Sequence, residues 1–251
     1  DLAESWEIPD PTTYIFRLHQ DVIFHDGKPL TAHDVVYTFE TILDGSLQTS
    51  KAGTFRILKT VEALDDHTVV FQLKEPFAPF LWNLTLGAIG IVPQSAGPNF
   101  ANSLIGSGPF RFEHYIRDRE ILLTANHNYF GRTPKIDAVR FKIVPEAIVR
   151  GLELRKGTVD IALNVLPSDM VKNLAEEPSL KLIGAEGTNY QYLAFNLNDP
   201  LFADLKVRQA IAHAIDRNAI IRNVWSDQVR LAHSVLPPTN WAYSNNVTRH
   251  E

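Results

Sequence analysis

The sequence predicts an α/β protein, strand-rich in its first part and alternating strands with helices in its second. Three observations point there. Residues 13–18 and 68–73 alternate apolar and polar side chains with the period of two that a half-buried strand shows. Thr31, followed three residues later by Asp34, reads as a capping box with Asp in place of Glu or Gln. Val35, Val36, Phe39, Ile42 and Leu43 then recur at helical spacing. From about Ile136 the rhythm changes to short apolar runs separated by helical patterns. The change argues for a β-rich subdomain over residues 1–130 and an α/β subdomain over 131–235.

The elements follow in order. Tyr14, Phe16 and Leu18 alternate with Thr13, Ile15 and Arg17 as a strand, and Asp26-Gly27 is a turn signal. Asp65-Asp66 supplies the turn before the strand Thr68–Leu73. Pro76 and Pro79 make the stretch from Phe77 to Trp82 irregular. Phe110–Tyr115 and Glu120–Thr124 flank Arg117-Asp118-Arg119 as a hairpin. Val139, Phe141 and Ile143 alternate as a strand, and Pro145-Glu146 opens a helix that ends at Gly157. Val159–Val165 reads as a short strand, Ser168 as the cap of a helix through Leu174, Leu180–Ile183 as a strand and Tyr190–Asn196 as a buried strand. Asp204 caps a helix bearing Val207, Ile211 and Ile215; Asp216 caps the next, bearing Ile220, Ile221 and Val224.

Composition excludes several function classes. A net charge of −5 provides no overall basic field for nucleic acid or an anionic membrane. Cysteine is absent, which removes disulfides, thiolate catalysis and cysteine metal sites and fits an exported protein. No apolar run of about 18 residues occurs, so no segment reads as a membrane-spanning helix. Repeats, low-complexity tracts and Gly/Ser linkers are absent.

Among reactive groups, the nine histidines show no His-x3-His or His-Glu-x-x-His spacing. His33 and Asp34 are neighbours on a helix and point apart, and His25 reads as a hydrogen-bonded residue of its turn. No metal site or cofactor is expected. The run Gly106-Ser107-Gly108 precedes proline and resembles neither a nucleophile elbow nor a phosphate loop; its glycines read as allowing a close backbone approach. Asp160 reads as a structural turn residue. Aromatic residues are the better candidates for a site. Phe77, Phe80 and Trp82 cluster on the proline-broken stretch, while Tyr190 and Tyr192 share a strand face. Tyr190, Tyr192, Trp82 and Phe80 are candidate ligand-contacting residues, since such rings combine flat apolar area, in Tyr and Trp with a hydrogen-bonding tip; the alternative is that they fill the core. Asn196, at the strand end, either satisfies backbone groups or touches ligand. Arg208 and Asp216-Arg217 are expected to cap and pair helices.

Several runs in order resemble a known family: Phe24-His25-Asp26-Gly27-Lys28-Pro29-Leu30-Thr31-Ala32-His33-Asp34-Val35-Val36-Tyr37-Thr38-Phe39, then Gly106-Ser107-Gly108-Pro109-Phe110, then Asn126-His127-Asn128-Tyr129-Phe130-Gly131 with Pro134. Gly157-Thr158-Val159-Asp160, Tyr192-Leu193-Ala194-Phe195-Asn196, Val207-Arg208-Gln209-Ala210-Ile211 with Asp216-Arg217, and Pro237-Pro238 continue the series. The chain resembles the family 5 extracellular solute-binding proteins, the capture subunits of peptide, nickel and related ABC importers. One departure is His19-Gln20-Asp21, where the family commonly has a basic residue and a glycine.

The resemblance implies a type II periplasmic-binding-protein fold in a longer, two-lobed protein that closes on its ligand. This chain would hold most of lobe I, with residues 236–251 starting the crossing into an absent lobe II and any export signal lying upstream. The implied function is that of a solute-binding component of an ABC import system, for peptides, in the periplasm or at the cell surface. It would not be an enzyme. Its partners would be a small-molecule or peptide ligand and the permease subunits. No nucleic acid is expected, and the membrane would be met only through the permease or an upstream lipid anchor. Peptide-binding relatives hold the ligand's termini largely through charges of the second lobe, so this chain alone should bind peptide weakly or not at all. Two alternatives stay open: a hydrolase using a His/Asp pair, which needs that pair in a cleft beside an oxyanion site, and a sensory module that kept the fold. After about residue 235 the chain, including the polar run Ser244-Asn245-Asn246, is expected to be poorly packed or to borrow contacts from a neighbouring molecule.

Overall fold

The computed structural model describes residues 1–246 except 47, 48, 88, 103, 164, 165 and 245. It forms two compact units, residues 1–143 and 144–251. The first contains β1 (Ala3–Asp10), β2 (Thr13–Leu18), α1 (Ala32–Leu43), β3 (Leu58–Asp65), β4 (Thr68–Leu73), α2 (Phe80–Leu84), β5 (Phe110–Ile116), β6 (Glu120–Ala125) and β7 (Ala138–Lys142). These make an antiparallel sheet of order β1-β2-β4-β3 and a second of order β5-β6-β7. The unit boundary therefore falls after residue 143 rather than at 130. The strand at 138–142 pairs antiparallel with β6, which keeps it with the hairpin that precedes it.

Register explains the core. Tyr14 opposes Phe71, Phe16 opposes Val69 and Val61 opposes Phe71, so the alternating apolar residues of three strands share one face. α1 lays Val35 and Phe39 on that face, and the Phe39 ring meets Phe71 edge-on at 5.0 Å and Phe55 at 5.2 Å. Burying each such ring contributes about 1.5–3 kcal/mol.

Two polar side chains are buried in the same helix, one turn apart, and both are satisfied. Asp34 Oδ2 accepts from the Thr31 N–H at 2.9 Å and the Thr31 hydroxyl at 3.1 Å, the cap read from the sequence. Its other oxygen accepts from the Gln94 N–H at 2.9 Å. The Thr38 hydroxyl donates to Asp34 O at 2.8 Å and accepts from the Val92 N–H at 3.0 Å. Segment 92–94 thus has backbone donors satisfied by side chains of α1 where no strand neighbour does so.

The β1–β2 turn is held by Asp10, whose Oδ1 accepts from the Thr12 hydroxyl at 2.7 Å and the Thr12 N–H at 2.8 Å. Hydroxyls of Thr13 and Thr12 and the Thr12 N–H lower its pKa to about 2. The Thr12 contacts are the firmer ones, because the Thr13 hydroxyl also donates to Gln72 Oε1 at 2.9 Å.

The second unit contains α3 (Ala147–Lys156), α4 (Ser168–Ala175), α5 (Pro200–Ala203), α6 (Leu205–Ala214) and α7 (Arg217–Asn223). Its caps follow the sequence: Asp204 Oδ1 accepts from the Lys206 N–H and Asp216 Oδ1 from the Ala219 N–H, each at 2.8 Å. Gly157 closes α3 with a left-handed φ of 72°. Ser168 is the first helical residue of α4 and Pro167 occupies the cap, so Ser168 is not the cap expected of it. α3 and α4 approach through Gly151, where an added Cβ would collide with Met170.

The expected strands at 159–165, 180–183 and 190–196 are not strands among the described residues; 164 and 165 lie outside them. Alternation states which side each side chain takes, whereas a strand also needs a neighbouring backbone, and no described segment supplies one. Beyond residue 235 the described chain makes only local turns, such as Asn240 N–H to Pro237 O at 2.9 Å, and Trp241 is exposed. Of the run 244–246, residue 245 lies outside the description.

Thr38→Val keeps the shape of the side chain and leaves the Val92 N–H without its acceptor. It should destabilise the first unit by about 1–3 kcal/mol in urea unfolding with an unchanged slope; an unmoved midpoint would show the pin to be idle. Because the Asp10 carboxyl is depressed in the folded state, its stabilising effect is complete above the ordinary carboxylate range and fades as pH falls from about 4 through about 2. Carbon-detected NMR titration should place its midpoint near 2, and Thr12→Val should raise it.

Candidate functional site

The histidine and glycine motifs prove to be joined. The His25 N–H donates to Gly106 O at 2.8 Å, and the Gly106 N–H donates back to His25 Nδ1 at 3.3 Å. Since Nδ1 accepts, the proton of the neutral ring sits on Nε2, which donates to Gly108 O at 3.0 Å. That same carbonyl accepts from Asn126 Nδ2 at 3.0 Å, and Asn126 is buried. The group clasps the turn at 24–28 to the entry of β5, so both ring nitrogens serve structure. A Cβ at Gly106 would lie 3.6 Å from His25 Cε1, an ordinary contact, so the approach is close but not one that only glycine permits.

Other His–carboxylate pairs lie at the surface: His33 with Asp66 at 3.6 Å, His19 with Glu4 at 3.2 Å and His114 with Glu120 at 3.1 Å. His33 and its neighbour Asp34 do point apart, one to solvent and one into the cap. Among the described residues no group of three His, Asp or Glu side chains could hold a metal ion. Asp160 is exposed beyond α3.

α2 separates the first aromatic cluster. Residues two apart on a helix project about 200° from each other, so Phe80 and Trp82 must face opposite ways. Phe80 is wholly buried, its ring 4.7 Å from Tyr14 and 5.5 Å from Phe71, with Phe77, Leu81 and Leu84 packed on the same core. It is a core residue and offers no surface to a ligand, contrary to its place among the candidate contacts. Trp82 is 77% exposed.

In the second unit Tyr190 and Tyr192 do share a side. Their ring centroids are 5.1 Å apart and tilted by 30°, with 42% and 72% of each residue exposed. The extended segment that carries them is tied at both ends. Before it, Arg230 grips both carboxylate oxygens of Glu186 at 2.9 and 3.0 Å. After it, Asn196 Oδ1 accepts from the Asn198 N–H at 3.1 Å and Asn196 O from the Asp199 N–H at 3.1 Å. Of the two roles considered for Asn196, its side-chain oxygen takes the backbone one. Arg208 Nη1 donates to Phe202 O at 2.6 Å and Ala203 O at 3.0 Å, a helix-end role as expected.

Tyr115 on β5 and Phe141 on β7 are also exposed, and both oppose Ile121 of β6. Their positions were legible in the period of two, but the pairing that puts them in one row was not.

Residues 1–251 match the family described as bacterial extracellular solute-binding proteins, family 5 Middle. Heme-binding protein A of Haemophilus influenzae is 36% identical over 98% of this chain and 50% of its own. The dipeptide-binding protein of Escherichia coli is 33% identical over 98% of this chain and 51% of its own. Among solved structures, NikZ from Campylobacter jejuni in complex with Ni(L-His) superposes with a TM-score of 0.88 at 28% identity, covering 100% of this chain and 51% of that one. The chain thus spans about half the length of the curated relatives it matches, and its α/β fold is part of a periplasmic-binding-protein fold. With the landmarks present in order and the match running through all 251 residues, this chain belongs to the bacterial extracellular solute-binding proteins of family 5.

Proposed function

We propose that this chain is part of the substrate-capture component of an ABC import system and that its solute is a peptide. The observation that carries the reading is the family match over the whole chain. A peptide is favoured because a dipeptide-binding protein is among the similar proteins and because Trp82, Tyr190 and Tyr192 present exposed rings with polar tips. Such rings pack against varied side chains while their N–H or O–H groups pair with a peptide backbone. Heme is the second reading, favoured by the 36% identity to heme-binding protein A.

In the complete protein, ligand contacts from two lobes stabilise the closed form, and only the difference in affinity between closed and open forms can drive closure. This chain contributes one share of those contacts. The protein would act in the periplasm or at the cell surface and hand its solute to permease subunits. No described helix is long and apolar enough to cross a membrane.

Mass spectrometry of the ligand retained by the intact protein, followed by calorimetry with dipeptides, heme and nickel–histidine, tests the assignment; retention of heme alone would overturn the peptide reading. Tyr192→Ala in the intact protein should weaken peptide binding by about 1 kcal/mol or more with an unchanged unfolding midpoint, because the ring is exposed. Phe80→Ala should instead cost about 3–5 kcal/mol of stability, because the ring is core. Unchanged peptide affinity in Tyr192→Ala would remove that ring from the site.

A further inference from the structure

One histidine ring holds the turn at 24–28 to the loop at 104–109, and its two nitrogens play opposite parts. His25 Nδ1 accepts from the Gly106 N–H at 3.3 Å, and Nε2 donates to Gly108 O at 3.0 Å. The arrangement requires a neutral ring, because an imidazolium carries a proton on both nitrogens and accepts nothing. Histidine is the side chain that takes up that proton between about pH 8 and 5. In the charged form Nδ1–H would face the Gly106 N–H, donor against donor, while the Nε2 contact would stay as it is. Protonation therefore strains one side of the clasp only.

The Gly106 side is the one able to move. Gly106 O accepts from the His25 N–H at 2.8 Å, but that carbonyl and the Gly106 N–H belong to different peptide planes. The plane joining Ile105 to Gly106 can turn over while the Gly106 carbonyl stays bound. Turning it withdraws the N–H and brings the Ile105 carbonyl round as an acceptor for the new Nδ1–H. The same rotation carries residue 106 to a positive φ, which it does not have in the neutral arrangement. Glycine takes such a φ readily and alanine does not. Nothing in the neutral arrangement calls for glycine here, since an added Cβ would meet His25 Cε1 at an ordinary 3.6 Å. The Gly108 side has a second tie: buried Asn126 donates from Nδ2 to Gly108 O at 3.0 Å and from its N–H to Pro109 O at 2.8 Å.

We propose that His25 and Gly106 form a pH-sensitive switch: proton uptake by the ring turns the 105–106 peptide and loosens the loop from the turn, while Gly108 stays held. The acceptor belongs to the neutral ring, so the closed loop is complete above the range in which histidine titrates and is lost as pH falls through it. Few other charges reach the ring. In its own turn Asp26 is paired with Lys28 at 3.5 Å. Residues 104–109 and Asn126 carry no titratable side chain. The next such groups along those segments, Arg111 and His127, are exposed. None of the described His–carboxylate pairs involves His25. The turn carries Phe24 and Leu30 of the core and the loop leads into β5, so the switch acts on the join between the two sheets of the first unit.

The test is NMR of the intact protein, labelled with nitrogen-15 at histidine, glycine and asparagine and titrated from about pH 8 to 5. At the upper end the His25 ring should carry its proton on Nε2. As the ring becomes charged, hydrogen-exchange protection of the Gly106 amide, corrected for the intrinsic effect of pH, should fall about five-fold or more. The Asn126 amide, bonded to Pro109 O, should keep its protection. His127→Gln should leave this step unchanged, and His25→Gln should abolish it. Gly106→Ala should leave the unfolding midpoint at the upper pH unmoved and shift opening at position 106 to lower pH, because alanine resists the turned peptide. A neutral ring protonated on Nδ1, or one that stays neutral until the protein unfolds, would overturn the proposal. So would a Gly106 amide indifferent to the ring's charge, protection lost at 106 and 126 together, or an unshifted opening in Gly106→Ala.

Discussion

The helix α1 has to satisfy two demands at once, and the first unit depends on its doing so. Its apolar side must cover the face shared by β2, β3 and β4; Val35 and Phe39 belong to that core, and the Phe39 ring packs on Phe71. The same side also carries Asp34 and Thr38, and a buried carboxylate or hydroxyl without partners would cost more than a neighbouring ring returns. Both are satisfied because the chain at 92–94 runs past with its N–H groups facing them. Segment 92–94 and α1 therefore hold each other in place: the helix supplies acceptors that the loop lacks, and the loop supplies donors that the helix requires. Packing alone would tolerate several placements of that loop, whereas directed hydrogen bonds in a dry interior select one.

Much of the first unit was legible because its signals are local. The strands at 13–18 and 68–73, the cap at Thr31–Asp34 and the hairpin around Asp118 are written in consecutive residues. β3 carries an outward apolar side chain, Leu64, which blurs its alternation, whereas β1 is an edge strand whose alternating Trp6 and Ile8 stay exposed. Phe80 was misjudged for a different reason. The prolines at 76 and 79 suggested an irregular stretch, yet a short helix forms directly after the second, and helical phase decides which ring is buried. The Asp34–Gln94 and His25–Gly108 hydrogen bonds join residues far apart in sequence, and no single-chain pattern announces such pairs.

The second unit shows the limit of periodicity. Caps at Asp204 and Asp216 and the left-handed Gly157 were correct because each is settled within a few residues. At 190–196 the adjacent rings of Tyr190 and Tyr192 show the side-chain direction that alternation predicts, although the run is exposed rather than buried. The apolar runs at 159–163, 180–183 and 190–196 do not form strands, since a ladder is a property of two segments. Many apolar side chains of this unit remain exposed, among them Ile161, Leu163, Ile183 and Leu193. Candidate contact rings in such surroundings have to be separated from packing rings by measuring affinity and stability on the same variants.

The five residues of α2 place a core ring and a surface ring on opposite sides of one turn. Core packing and surface chemistry are thereby assigned to different sides of a single short element. Position 82 can change in size, polarity or charge over evolutionary time while position 80 stays under the constraint of the core. Were Trp82 the ligand contact proposed for it, a lineage shifting between solutes would have here a residue to vary, carried on a helix whose own placement does not depend on the outcome.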